Sequence, residues 1–222
     1  MKKVAFIKTV ILIIIFVNIF TVSLKLKLFA DLNNIEQKIE QIKITIANLP
    51  KDFSTKTVDN LILLCNDVIN YEPKNIDAYI YLAVCYYLKR NIDKGIEILS
   101  KSLIFDSKNA NVYFLRGYGY YGKAKKIEKH NERISYLNRA IIDFNKTLSL
   151  EQNYQSIKVQ NNFVEVTGVM FYVGICYKLK GDLVKAKETF QIIIDKYPNG
   201  DWAPEAKKEM EYLLQNEVKT RK

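Results

Sequence analysis

Apolar residues recur three or four positions apart over most of this 222-residue chain. This spacing puts them on one face of an α-helix and predicts a series of amphipathic helices. The clearest segment is Thr167–Gly200, in which two helical stretches are separated by residues 180–182 and the second ends at Pro198. We therefore expect a helical hairpin here.

Two earlier segments, starting at Ile76 and at Ala110, share small and aromatic residues with this hairpin at matching positions. The eighth position of each segment is small and the eleventh is a tyrosine; in chain order these residues are Ala83, Gly117 and Gly174, and Tyr86, Tyr120 and Tyr177. A small residue lets two helices approach, and an aromatic one fills the space between neighbouring hairpins. Gly95 stands where the last segment has Ala186, and glycine inside a helix costs about 1 kcal/mol relative to alanine.

The middle segment matches the others over its second half only after an insertion of 11 residues, which brings Ala140, Phe144 and Thr147 into register. Eleven residues correspond to about three helical turns. We expect both helices of this hairpin to be lengthened, with a tip near Lys126–Asn131.

These segments resemble the tetratricopeptide repeat (TPR), a 34-residue helical hairpin. With Thr167 as the first position, five signature positions match: Gly174, Tyr177, Ala186, Phe190 and Pro198. The resemblance implies an all-α, TPR-like solenoid of hairpins that binds protein partners. The stretch YPNGDWAPEA, residues 197–206, is also similar to repeat ends of bacterial envelope TPR proteins, notably the Tol-associated periplasmic coordinator of cell division and the outer-membrane-assembly lipoproteins. It implies partners in the cell envelope.

The helix pattern and the resemblance divide the chain into three parts: a membrane segment at 1–27, a heptad or amphipathic helix at 28–50, and a TPR-like domain at 51–222. Within the domain we expect a partial hairpin at 51–75, repeats at 76–109, 110–154 and 167–200, and a capping helix at 201–222. Residues 155–166 are expected to extend the first helix of the last hairpin.

An apolar run without charges extends from Thr9 to Leu24, with lysines on both flanks. With its neighbours it reaches the roughly 20 residues that a bilayer of about 30 Å requires. We expect a single-pass anchor in the inner (cytoplasmic) membrane, with the N-terminus inside and the TPR domain in the periplasm. The alternative is a cleaved signal peptide, because Thr21 and Ser23 offer a cleavage site, and a soluble periplasmic protein would result.

Residues 28–49 contain apolar residues at alternating spacings of four and three, namely Leu28, Leu32, Ile35, Ile39, Ile42, Ile46 and Leu49. This heptad pattern is typical of a coiled coil and would join two or three copies of the chain into a homo-oligomer. The same pattern also fits an amphipathic helix that packs along the chain's own repeats. The sequence leaves both interpretations open.

The chain carries a formal net charge of +10. No nucleic-acid motif accompanies this charge, so we expect no nucleic-acid partner. The most concentrated basic cluster falls at the predicted hairpin tip and consists of Lys123, Lys125, Lys126, Lys129 and Arg133. It is either a solvated helix end or a contact for an acidic partner or anionic headgroups.

Residues suited to catalysis are few and scattered. His130 is the only histidine, and Cys65, Cys85 and Cys176 lie on apolar helix faces without metal-ligand spacing. Gly117, Gly119 and Gly122, followed by Asp143, spell a dinucleotide-binding pattern, but that motif requires a preceding strand and these glycines fall in a predicted helix. We therefore expect no catalytic residues, no metal, no cofactor and no enzymatic activity.

The resemblance implies that the first helix of each hairpin lines a concave groove. Relatives that clamp a terminal carboxylate have lysine and asparagine at repeat positions 5 and 9, whereas this chain has apolar or aromatic residues, so the clamp is absent. Together with position 12, the predicted groove comprises Ile80, Val84, Tyr87, Phe114, Tyr118, Tyr121, Phe171 and Ile175. Such a groove suits an amphipathic helix or an extended apolar peptide, unless the chain's own heptad or terminal helix fills it.

These observations favour a non-catalytic, membrane-anchored scaffold that holds envelope proteins together. One alternative is a soluble periplasmic adaptor, released by cleavage and oligomerised through residues 28–49. Another is an accessory subunit that docks an enzyme to the membrane.

Overall fold

The computed structural model describes the backbone of residues 2–150, 157–159, 162–164 and 166–220, and the side chains of residues 20–27, 30–150 and 166–216. The chain divides into two compact units, Met1–Gln41 and Ile42–Lys222. We describe each unit separately.

Helix α1 spans Lys2–Ala47. Its residues up to Gln41 form the first unit, and those from Ile42 onward belong to the second unit. Among the described residues, no helix is long and apolar enough to cross a membrane. Most of the predicted membrane segment falls on residues 1–19, whose side chains lie outside the description. The anchor therefore stays a prediction.

The second unit contains the hairpins. Its helices are α2 (Thr55–Tyr71), α3 (Ile76–Leu88), α4 (Ile92–Ser102), α5 (Ala110–Ala124), α6 (His130–Leu150), α7 (Val166–Lys180), α8 (Leu183–Lys196) and α9 (Ala203–Thr220). Each helix from α2 to α8 packs on the next one, and α3 also contacts α5. The second unit is thus a stack of antiparallel helices, as the sequence predicts. The heptad residues Ile42 and Ile46 are buried in this unit. Self-association through residues 28–49 stays a prediction.

Side-chain caps set where most of these helices begin. In five of them the residue before the helix accepts a hydrogen bond from the backbone N–H three residues later; these caps are Ser54, Asn75, Asn91, Asn109 and Asp182. Such a cap satisfies a donor that has no partner within the helix and contributes about 1 kcal/mol. The chain leaves α7 through Gly181, whose φ of +83° favours glycine.

The segment between α6 and α7 differs from the prediction. Residues 155–166 were expected to be helical, but Ile157–Val159 (β1) and Asn162–Val164 (β2) form an antiparallel pair in which Ile157 opposes Val164. α7 begins only at Val166. β-Branched residues such as Ile157, Val159 and Val164 lose rotamer freedom in a helix and favour strands, which accounts for the difference.

The 11-residue insertion lengthens one helix far more than the other. α6 has 21 residues, against 11 in α4 and 14 in α8. α5 has 15 residues, against 13 in α3 and 15 in α7, so it is hardly extended. The predicted tip corresponds to the connector at 125–129. The expectation that both helices are lengthened is wrong for α5. The extra turns precede Ala140 in α6, where the apolar stripe continues through Leu137.

Glycine–phenylalanine contacts hold the two helices of a hairpin together. A Cβ added at Gly174 would lie 2.6 Å from Phe190 Cε1, and one at Gly117 would lie 3.0 Å from the ring of Phe144. Phe144 and Phe190 are both fully buried. Each ring occupies the volume that a side chain on the facing helix would need, which is why the eighth repeat position is small.

Tyr87 explains why Gly95 replaces the expected alanine. A Cβ at Gly95 would lie 2.3 Å from Tyr87 Cε1, and one at Gly119 would lie 2.2 Å from Tyr87 Oη. The Tyr87 hydroxyl also donates a hydrogen bond of 3.1 Å to the Leu115 carbonyl. The ring of Tyr87 is therefore wedged between α4 and α5, and the two glycines supply its space.

We predict that Gly95→Ala destabilises the protein although alanine is the better helix former. Overpacking costs typically about 1–3 kcal/mol, which exceeds the gain of up to about 1 kcal/mol in helix propensity. Urea unfolding measures the net change. Gly122→Ala is the matched control, because its Cβ would meet only Ile92 Cδ1, at an ordinary 3.6 Å. Equal stabilisation by both substitutions would show that Tyr87 is not wedged.

Candidate functional site

The structure separates the eight predicted groove residues into a buried and an accessible set. The buried ones are between 3% and 8% exposed and comprise Ile80, Val84, Phe114 and Ile175. These side chains belong to the core. Tyr87, Tyr121 and Phe171 are half-buried, and Tyr118 is 42% exposed. A partner would therefore meet mainly the tyrosines.

Three of these tyrosines line an open pocket of about 400 Å³, which we call the tyrosine pocket. Its lining residues come from α3, α4, α5 and the connector after α5: Tyr87, Ile92, Tyr118, Gly119, Tyr121, Gly122, Lys125 and Lys126. The pocket thus brings together part of the predicted groove and part of the predicted basic tip. From the sequence, the groove and the basic tip were predicted as two separate features.

The aromatic wall of the pocket is built on α5. The rings of Tyr118 and Tyr121 lie 6.1 Å apart, and Lys125 Nζ lies 5.5 Å from the centre of the Tyr121 ring. Burial raises the pKa of Tyr87 and of Tyr121 above the ordinary tyrosine value, because the phenolate would lose its hydration. Both phenols therefore remain neutral at physiological pH and keep their hydroxyl protons.

Tyr172 of α7, which the sequence analysis did not single out, supports this wall from behind. Its ring lies 5.5 Å from the rings of both Tyr118 and Tyr121, and 5.8 Å from that of Phe144. Burial, followed by the neighbouring phenols of Tyr118 and Tyr121, raises the pKa of Tyr172. Tyr172 occupies repeat position 6, which is not a signature position, so only its aromatic character offered a signal.

Phe171 lies on the far side of Tyr172 and packs into the end of the array. Its ring is 5.0 Å from that of Trp202 and 5.7 Å from that of Phe190. Phe171 is not part of the tyrosine pocket lining. The structure therefore places it in an aromatic contact between α7, α8 and the segment before α9.

The basic tip is not one patch. Lys123 forms an ion pair with Asp93 and lies 4.7 Å from the centre of the Tyr136 ring. Arg133 lines a different pocket, together with Lys178 and Tyr212. Lys129 is exposed on the connector. Of the five predicted residues, only Lys125 and Lys126 reach the tyrosine pocket.

The glycines of the apparent dinucleotide pattern all lie inside α5. Asp143, in the place of the motif's acidic residue, is buried and accepts two hydrogen bonds of 2.8 Å from the Arg116 guanidinium. Arg116 also donates to the Ser100 hydroxyl at 3.2 Å. This bidentate pair links α4, α5 and α6, and it gives Asp143 a structural role.

Within the described part of the chain, no three histidine, cysteine, aspartate or glutamate side chains cluster as metal ligands would. His130 is exposed, and its Nδ1 lies 3.4 Å from the Arg133 guanidinium. The three cysteines are buried free thiols.

Residues 169–200 match the tetratricopeptide repeat family model. This stretch lies within the hairpin of α7 and α8 and the turn that follows. This hairpin is therefore similar to a tetratricopeptide repeat. Among curated proteins, no sequence matches the chain.

Three solved structures, two of them described as TPR proteins, are similar in fold. TTC0263, a thermophilic TPR protein of Thermus thermophilus, matches with a TM-score of 0.58 and 13% identity, over 82% of each chain. PilF of Pseudomonas aeruginosa matches with a TM-score of 0.57 and 19% identity, over 84% of this chain and 72% of that one. A TPR protein of Parabacteroides merdae matches with a TM-score of 0.53 and 16% identity, over 86% and 71%.

These comparisons support a TPR-like helical solenoid over most of the chain. At such identities the likeness concerns the fold, and function depends on the residues of each site. The envelope-specific resemblance of residues 197–206 receives no confirmation from them.

We predict that the native protein resists thiol reagents. Burial raises the pKa of Cys176 to about 12, and the hydrogen bond with Cys85 together with burial raises that of Cys65. The reactive thiolates of Cys65 and Cys176 are therefore scarce below pH 9, and all three thiols are buried. Dithionitrobenzoate at pH 8 should label native protein only as fast as it unfolds, while guanidinium-unfolded protein should release three equivalents of thionitrobenzoate. Rapid labelling of any cysteine in folded protein would contradict this burial.

Proposed function

We propose that this protein is a non-catalytic scaffold that binds a protein partner through the tyrosine pocket. The observation that carries the proposal is the joining of Tyr118 and Tyr121 with two lysines in one accessible pocket. Tyrosines are frequent binding hot spots, because they offer a large rigid surface with a polar end. Stacked hairpins suit this role, since they present extended surfaces to partners.

The described residues also support a role without chemistry. The cysteines are buried, and the neighbour of His130 is a guanidinium rather than a nucleophile or a carboxylate. Such a histidine lacks the partners that general acid–base or nucleophilic catalysis requires.

We predict that a photocrosslinker at position 118 captures one defined protein in cells. Benzoylphenylalanine should be tolerated there, because the Tyr118 side chain is 42% exposed. Position 212 is the matched control: Tyr212 is also exposed, at 58%, but lies on α9 outside the tyrosine pocket. Mass spectrometry identifies the adduct, and the purified partner should bind the wild-type chain at least tenfold more tightly than Tyr118→Ala.

The proposal fails if folded protein gives the same adducts at both positions, or if Tyr118→Ala binds the partner as the wild type does. Circular dichroism and urea unfolding establish that each variant is folded. A captured enzyme would favour the accessory-subunit role over a scaffold between non-enzymatic proteins.

We further propose that the scaffold is tethered to the inner membrane and faces the periplasm. The apolar run of residues 9–24 and its flanking lysines support the tether. The resemblance of residues 197–206 to repeat ends of envelope proteins supports the compartment. The alternative remains a soluble periplasmic adaptor that self-associates through residues 28–49.

We predict that the protein stays in the membrane pellet after carbonate extraction and that its intact mass is that of the full chain. A hydrocarbon-spanning helix resists alkaline extraction, whereas peripheral contacts do not. Replacing two apolar residues of the run, Ile13→Lys and Ile15→Lys, should release the protein, because charges in the bilayer core are costly. A soluble product shortened near Ser23 or Ala30 would instead establish the cleaved adaptor.

A further inference from the structure

We propose that the tyrosine pocket binds an acidic peptide segment, in which a carboxylate side chain lies within two residues of an aromatic or aliphatic one. This inference rests on the proposed function, because it names the chemistry of the partner at the same pocket. Its charge comes from Lys125 and Lys126, which follow α5 and lie outside the repeat signature.

The lining of the tyrosine pocket is positively charged. It contains Lys125 and Lys126 and no aspartate or glutamate. Both lysines are exposed, and among the described residues neither forms an ion pair with a carboxylate. The nearby Asp93 is already paired with Lys123. Two positive charges therefore stand at the rim without a counter-charge in the lining, and a negatively charged ligand would complement them.

The walls of the pocket are largely apolar. Tyr118, Tyr121 and Ile92 present an aromatic and aliphatic surface, which is suited to burying an apolar side chain. Gly122 leaves the adjacent surface of α5 open, since a Cβ there would meet only Ile92. A peptide backbone can therefore approach α5 closely at this point.

The positive charge lies close to the apolar wall. Lys125 Nζ lies 5.5 Å from the centre of the Tyr121 ring, so the cation stands directly beside the apolar wall. Successive side chains of an extended peptide point to opposite faces, and those two residues apart share a face at a spacing of about 6.6 Å. An apolar side chain against Tyr118 and Tyr121 thus brings a carboxylate two residues away within reach of the lysines.

A selection from randomised peptides tests the inference while the cellular partner is still unidentified. Displayed nonapeptides are selected on the full-length chain in a mild non-ionic detergent, and enriched peptides are then measured by fluorescence anisotropy. The variants are Tyr118→Ala and the pair Lys125→Glu with Lys126→Glu. The control pair is Lys74→Glu with Lys108→Glu, two exposed lysines in the connectors before α3 and α5.

We expect enriched peptides to carry aspartate or glutamate within two residues of an aromatic or aliphatic one. Their affinity should fall about tenfold with the charge reversal at 125 and 126 and little with the control pair. It should also fall as salt rises from about 50 to about 500 mM, since salt screens exposed charges. Replacing the acidic residues of a peptide by their amides should weaken binding by a similar factor.

Two results would overturn the inference in distinguishable ways. If binding depends on Tyr118 but not on acidic residues, salt or the two lysines, the pocket binds a neutral peptide, and the proposed function stands alone. If no enriched peptide depends on Tyr118, both fail.

A vesicle-binding experiment tests whether Lys125 and Lys126 bind lipid headgroups instead of a peptide. The full chain with Ile13→Lys and Ile15→Lys, which removes the proposed membrane span, is sedimented with phosphatidylcholine vesicles that contain about 30% phosphatidylglycerol, an anionic lipid that attracts basic clusters. This variant is compared with versions that also carry either lysine pair. Equal sedimentation supports the peptide site. Selective loss with the reversal at 125 and 126 would assign these lysines to anionic headgroups and overturn the proposal.

Discussion

The close approach of a glycine to an aromatic ring on a neighbouring helix is the constraint on which the rest of this structure depends. Gly174 faces Phe190, Gly117 faces Phe144, and Gly95 and Gly119 enclose Tyr87. The first two contacts bind the helices of one hairpin, whereas Tyr87 joins two successive hairpins. Burying such a ring contributes about 1.5–3 kcal/mol. The ring fits there only because the facing residue is a glycine, which has no side chain.

This packing also creates the candidate site. Tyr87 occupies the space beside Gly119, whereas the space beside Gly122 is open. Helix α5 therefore has a surface without side chains near its end. Tyr118 and Tyr121 lie beside it, and the connector adds Lys125 and Lys126. The insertion contributes a five-residue connector and a longer α6, so the pocket lies where this chain departs most from the regular repeat.

Much of the fold follows from the sequence, because local rules dominate in a solenoid. The hairpin around Gly174 and Phe190 agrees with the prediction. The exception at Gly95 could not be foreseen, since its reason is a ring on another helix. The strands at 157–164 were missed because helical continuity was assumed over β-branched residues. Tyr118 was predicted as a site residue, but its contact with Tyr172 depends on how helices α5 and α7 pack, which local sequence rules do not give.

The chain has a single tryptophan, Trp202, which lies 5.0 Å from the ring of Phe171 and 5.8 Å from that of Tyr172. Tyr172 is in turn 5.5 Å from Tyr118 and Tyr121. Light absorbed by these tyrosines will therefore pass to the indole by resonance energy transfer, and the protein's ultraviolet emission will come largely from Trp202. The molecule carries its own optical reporter, coupled through Tyr172 to the wall of the tyrosine pocket.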